Sequence, residues 1–152
     1  MSALSRREQI MRYIVGLFTD MRASVDDYSV TWGAVVRRPL KADEAKLNCA
    51  VGVYDVGEEK TAEIGRYRSI LSVRIEFFYR PNIGDEPSTE LNRLLLDIQR
   101  VMRVDHTCGG LTYNVLEVEN ELDISGPADR LVAGIIEYRV DYKHLLDDPR
   151  SV

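Results

Sequence analysis

Residues 67–79 read YRSILSVRIEFFY. Leu71, Val73, Ile75 and Phe77 alternate with Ser72, Arg74 and Glu76, and strand side chains point to opposite faces with a period of two. The stretch is therefore a strand with one apolar face for a core and one polar face for solvent. A strand of this kind needs partners of the same polarity and a cover over its apolar side. The rest of the chain supplies both.

Upstream, residues 29–36 (SVTWGAVV) are rich in β-branched side chains around Trp32 and read as a strand that Arg37-Arg38-Pro39 ends. Residues 41–46 are charged and lead into a second strand over 47–56. Residues 57–63 (GEEKTAE) are polar and expected to be a mobile loop. Downstream of the central strand, residues 131–143 place Val132, Gly134, Ile136, Tyr138, Val140 and Tyr142 on one face. Glu137, Arg139, Asp141 and Lys143 fall on the other. A further strand is expected over 111–124, joined to this one by a turn at 125–129.

Two amphipathic helices provide the cover. From about Ser5 to Arg22, the residues Ile10, Ile14, Leu17, Phe18 and Met21 recur at helical spacing. Ser5 followed by Glu8 has the form of a capping box. From about Pro87 to Arg103, the inner stripe is Leu91, Leu94, Leu95, Ile98, Val101 and Met102, and Pro87 suits a first-turn position. The order is helix, three strands, helix, two strands. It predicts an α+β fold, a largely antiparallel five-stranded sheet with both helices on one face, in a single domain spanning residues 1–152 with a polar, frayed tail from about Asp147.

Composition narrows the function. A hydrophobic fraction of 45% with 30% charged residues, over 152 residues, suits one folded domain able to bury a core without metals or disulfides. No stretch approaches the ~18 apolar residues of a membrane span, and the N-terminus lacks the apolar core of an export signal. Cys49 and Cys108 have no CxxC spacing and read as free thiols of a reducing compartment. A net charge of −5 argues against a protein that coats nucleic acid.

Asp105-His106-Thr107-Cys108 is the one place where a carboxylate, an imidazole and a thiol crowd together. Catalytic partners usually meet through the fold, and Gly109-Gly110 marks a sharp turn instead. Two ligands there fall short of the four of a structural zinc, and phosphate-cradling glycine motifs are absent. No catalytic, cofactor or metal site is expected. The informative surface lies on the fourth strand, where Glu117, Glu119, Glu121 and Asp123 occupy every second position and are expected to project from one face. The plain reading is a solvated face partly neutralised by Arg139 and Lys143. The sharper one is a surface that repels DNA or meets a basic partner. Arg37, Arg38 and Lys41 form a smaller basic cluster, either solvated or in contact with an acidic subunit. Tyr28, Trp32 and Tyr113 are candidate interface anchors, with core packing the alternative for Trp32.

The arrangement resembles the tail terminator (tail completion) proteins of long-tailed bacteriophages. The resemblance rests on length, the order of elements, the D-x-T-x-G-G-L stretch from Asp105 to Leu111, the acidic strand after it, and the tyrosine-bearing last strand through Tyr138 and Tyr142. Cys108 stands where that family would carry an apolar residue such as leucine. The resemblance implies a non-enzymatic virion protein, assembled in the host cytoplasm and resident at the head-proximal end of the tail. It implies a homo-oligomeric ring, commonly a hexamer, that caps the tail tube, stops its polymerisation and presents a surface to the neck or stopper of the head. A contractile tail adds the sheath as a partner. DNA passes through the lumen without specific binding, which an acidic wall would favour, and Glu117, Glu119, Glu121 and Asp123 are the candidate lumen or inter-subunit residues. Another neck component, and a small-molecule-binding α+β domain, are the alternative readings.

Overall fold

The computed structural model describes residues 4–23, 28–124 and 131–150. The breaks expected at Ser24–Asp27 and Ser125–Asp129 lie outside the described residues. The elements are α1 (Arg6–Thr19), β1 (Val35–Val36), a short 3-10 helix (Ala42–Lys46), β2 (Cys49–Glu63), β3 (Arg66–Tyr79), α2 (Pro87–Met102), β4 (Asn114–Ile124) and β5 (Val132–Leu145). The strands form one five-stranded sheet in the order β1-β2-β3-β5-β4, antiparallel except for the short β1–β2 pair. The expected α+β class and the mostly antiparallel sheet are what the structure shows.

The alternation in β3 decides which side is filled. Leu71, Val73, Ile75 and Phe77 are all buried, as are Val132, Ile136, Tyr138, Val140 and Tyr142 of β5, Val51 and Val53 of β2, and Val115 of β4. Ile10, Met11, Ile14 and Phe18 of α1 and Leu91, Leu94, Ile98, Val101 and Met102 of α2 join them in one apolar cluster. Gly134 of β5 is required by this packing. A Cβ there would sit 2.8 Å from the Phe77 ring and from a Leu122 methyl, far inside van der Waals contact. Trp32 is core, its ring 6.5 Å from that of Phe18 and its indole N–H directed at the Met21 sulfur at 3.3 Å.

Four expectations need correction. The first strand shrinks to Val35–Val36, because Val30 and Trp32 turn into the core and the backbone around them leaves the sheet. The polar segment 57–63 is strand, paired with 66–72 across a turn at Ile64-Gly65. Gly65 takes the left-handed φ of 75° that this turn needs. Ladder hydrogen bonds stabilise a strand whatever its side chains, so polarity alone misread this one. Residues 41–46, read only as a charged lead-in to the second strand, hold the 3-10 helix over Ala42–Lys46. The tail, expected to fray from Asp147, folds back on α1 instead: the Arg6 N–H donates to the Pro149 carbonyl at 2.8 Å and satisfies one of the free donors of the first helical turn. Ser5 caps that turn by accepting the Glu8 N–H at 3.1 Å, while the Glu8 carboxylate bridges Arg12 and Arg37.

On the opposite side of the sheet, the chain from Arg38 to Leu40 crosses directly over Gly52. A Cβ at Gly52 would meet the Arg38 carbonyl oxygen at 2.4 Å. Gly52→Ala is expected to cost about 2 kcal/mol, in the range for overpacking. Gly57→Ala, where no atom lies within 4 Å of the added Cβ, should change stability by less than about 0.5 kcal/mol. Urea denaturation of both variants checks the pair.

A polar network ties α1 to the hairpin. Arg7 bonds Asp55 at 2.6 Å, and Glu58 accepts from Tyr142 Oη at 2.5 Å and pairs with Lys60 at 3.0 Å. Burial alone would raise the Glu58 carboxyl, but the bonds from Tyr142 and Lys60 and the charge of Arg7 outweigh it and hold it below its ordinary 4.5. A carboxyl depressed on folding contributes stability that is complete above its unfolded value and is lost as pH falls through the folded one. The wild type should therefore lose stability below about pH 4.5. Glu58→Gln should lose about 1–3 kcal/mol at neutral pH and show a shallower acid limb in pH-dependent denaturation.

Candidate functional site

Because both helices cover one side of the sheet, the other side has no second layer among the described residues apart from the corner crossed by residues 38–46. Tyr54, Arg74, Glu76, Ile135, Glu137 and Arg139 belong to this open face, by their register opposite one another across β2, β3 and β5. Glu76 accepts weak hydrogen bonds from the Leu40 N–H and Tyr54 Oη, both at 3.4 Å, and Arg74 pairs with Glu137 at 3.4 Å.

The acidic residues of β4 do not form the single row that the sequence pattern implies. The β4–β5 register shifts between Glu117 and Glu119. An extra residue in one strand moves everything beyond it to the other face. Glu117 stands opposite Tyr138, on the helix side, where it accepts from Gln99 Nε2 at 2.8 Å and Asn120 Nδ2 at 2.9 Å. Beyond the bulge, Glu119, Glu121 and Asp123 stand opposite Glu137, Ile135 and Ala133, on the open face. All three are exposed, and none has an ion-pair partner among the described residues. The expected neutralising cations are elsewhere: Lys143 pairs with Glu63 at 3.1 Å, and Arg139 lies opposite Leu116, short of the bulge.

The open face is concave next to these carboxylates. A groove of about 390 Å³ has Leu40, Phe78 and Ile135 along its floor and Glu76, Glu121 and Asp123 with Lys41 at its rim. Lys41 thus joins the acidic residues, while the other two members of the basic cluster are committed within the chain. Arg37 bonds Glu8 at 2.5 Å, and Arg38 bonds Glu44. Those guanidiniums hold the Glu8 and Glu44 carboxyls below their ordinary range. Tyr28 lies under the Arg100 guanidinium at 5.1 Å, and Tyr113 is 53% exposed with Lys143 over its ring at 5.4 Å.

The loop from Asp105 to Gly110 is built as a turn. Asp105 Oδ1 accepts the Thr107 N–H and Oδ2 the Gly109 N–H, each at 2.9 Å. Those bonds, led by that from the Thr107 hydroxyl, hold its carboxyl below the usual range. Cys108, Gly109 and Gly110 all have left-handed φ, 48°, 70° and 90°. Cys108 points inward, 2% exposed, and burial pushes its thiol up to about 11. A nucleophilic cysteine needs the opposite shift. His106 is exposed, and no hydrogen bond joins it to Cys108 among the described residues. Cys49 is also buried and its thiol raised by burial. Among the described residues no group of three or more His, Cys, Asp or Glu is arranged to hold a metal ion.

No family model matches the chain, and no curated protein matches it. Among solved structures it is similar, at a TM-score of 0.39 and 8% identity, to the sheath/tube terminator of an extracellular contractile injection system, PVC, in its extended state. The alignment covers 100% of this chain and spans 62% of that one.

Both thiols should resist alkylation in the native protein. Iodoacetamide at pH 8 is expected to label Cys49 and Cys108 at least tenfold more slowly than in urea-unfolded chain, read by mass spectrometry.

Proposed function

We propose that this chain is a structural phage assembly protein, a tail terminator that closes into a ring on the head-proximal end of the tail tube. The observation that carries the reading is the open sheet face, where Glu119, Glu121 and Asp123 have no ion-pair partner among the described residues and lie beside a groove lined in part by Leu40, Phe78 and Ile135. Such a face suits recognition of other protein surfaces, with charge setting partner choice. Glu119, which does not line the groove, also suits a wall past which a DNA duplex slides without adhering. The resemblance of the Asp105–Leu111 loop and the last strand to tail terminator proteins supports the same reading.

In this role the ring binds the tube through one surface, refuses further tube subunits, and offers another surface to the neck or stopper of the filled head. Six copies are the expected closure, and a contractile tail would bring the sheath into contact with the ring's outer side. A heterologous contact closes only when its rotation divides the circle, so the geometry of one interface sets the number of subunits.

Electron microscopy of lysates from a phage lacking the gene tests the proposal. Tails of uncontrolled length are the expected result. Tails of normal length that fail to join heads would assign the protein to the neck instead, and complete infectious virions would remove it from assembly altogether. Charge reversal at Glu119 and Glu121 to Lys should leave folding intact and lower infectious titre at least tenfold. Full infectivity of that double variant would reduce the acidic face to ordinary solvated surface.

A further inference from the structure

The turn joining β2 to β3 carries Ile64 with its side chain fully exposed, 100% of its surface open to solvent. The Leu146 N–H donates to the Gly65 carbonyl at 3.3 Å, and Leu145 stands opposite Arg66. Leu145 and Leu146, 37% and 43% exposed, pair with the base of this turn, so three exposed apolar residues lie at one end of the sheet. Arg66, at the base of the turn, has no ion-pair partner among the described residues. Its neighbours are paired: Arg68 with Asp141 at 2.8 Å and Lys143 with Glu63 at 3.1 Å. This tip thus carries exposed branched residues beside a cation that has no ion-pair partner among the described residues.

The groove of the open face has the complementary character. It is lined by Leu40, Phe78 and Ile135, by Lys41 and Glu76, and by the Glu121 and Asp123 carboxylates, which lack ion-pair partners among the described residues and leave the groove net acidic. It lies where β3 ends and β5 begins, since Phe78 pairs with Ala133 and Asp123 with the same residue from the other side. The tip lies where β3 begins. Twelve residue steps of extended strand lead from Arg66 to Phe78, roughly 40 Å at ~3.3 Å per residue, so a chain cannot fill its own groove with its own tip.

We infer that the Ile64 tip of one copy seats in the open-face groove of a second copy, with Arg66 of the first facing Glu121 and Asp123 of the second. Two different surfaces of the same chain meet in this contact, so it is head-to-tail and every copy still offers a free tip and a free groove until the assembly closes. Burying the tip removes exposed apolar surface that a lone domain otherwise presents to water, and the charge pair fixes the register. The inference deepens the ring reading above by naming the contact between its subunits.

Cysteine cross-linking of the full chain tests it. Ala62→Cys places a thiol beside the tip and Ala133→Cys places one in the groove, and both native thiols are buried. A short bismaleimide should join the two variants when they are mixed and give at most background product with either alone. A chain carrying both substitutions should give a ladder of oligomers on denaturing gels. Ile64→Asp, at a fully exposed position, should lower the ladder yield at least tenfold. Arg66→Glu should lower it similarly, and adding Asp123→Arg to Arg66→Glu should restore it. Cross-linking between like positions, a ladder indifferent to Ile64→Asp, or no ladder from chains whose circular dichroism is native would each overturn the contact. The lysate experiment is independent. Overlong tails without a ladder would discard the contact and keep the terminator, and a ladder with tails of normal length would do the reverse.

Discussion

The antiparallel ladder between β3 and β5 runs from Arg66 opposite Leu145 to Tyr79 opposite Val132 without a break in register. It fixes which side chains of the two central strands share a face, and the rest of the molecule follows from that. Leu71, Val73, Ile75 and Phe77 are committed to the same side as Ile136, Tyr138, Val140 and Tyr142. One face is then too apolar to leave in water, and the stripes of α1 and α2 are the only long apolar surfaces in the described chain able to cover it. Gly134 shows how closely that cover is fitted, because the Phe77 ring and Leu122 occupy the space a side chain would need. Two helices suffice for one face and leave none for the other.

The open face is therefore a consequence of the core and not an addition to it. Its central residues are a mixture, with Arg74 and Glu137 paired and Glu76 tied to Tyr54 and Leu40. Toward the β4 edge the balance shifts to carboxylates without ion-pair partners among the described residues. The bulge between Glu117 and Glu119 acts twice. It sends Glu119, Glu121 and Asp123 to the open face while Glu117 stays with Gln99 of α2, and it interrupts the regular pattern of donors and acceptors along a strand that is at the edge of the sheet among the described residues. Bulges and charges on edges discourage the indefinite strand addition by which sheets aggregate.

Much of this was legible in the sequence, for identifiable reasons. Period-two alternation in β3 and β5 and the helical stripes of α1 and α2 are strong because each repeats over three or more turns or pleats, and tertiary packing agreed with them. The hairpin arm over 57–63 was illegible because its side chains are polar and its stability comes from backbone pairing with 66–72, which leaves no periodic trace. The break in the acidic row was hidden for a different reason. Val115 and Leu122 both face the core side yet differ in parity, and a single extra residue must lie between them. Leu116 and Val118 share the parity of Leu122, so apolar side chains ran through the shift and masked it. Arg37 and Arg38 could be seen as basic but not as spoken for, since Glu8 and Glu44, which pair with them, belong to separate elements.

The positions of the tip and the groove bear on closure as well as contact. Both belong to the rigid ladder, one at the start of β3 and the other at its end, so the angle between them is set by the twist that the sheet acquires along its length. A head-to-tail contact between such surfaces carries that angle into every added subunit. If the accumulated rotation meets the first subunit, the assembly is a ring of fixed size, and if it misses, the assembly is a filament. The sheet twist is itself held by the packing of α1 and α2 beneath it, including the Arg7, Asp55 and Glu58 network that ties the helix to the hairpin arm. In the proposed ring, changes in that network would reach subunit number even though its residues lie on the covered side of the sheet, because the interior determines the direction in which the exposed tip points.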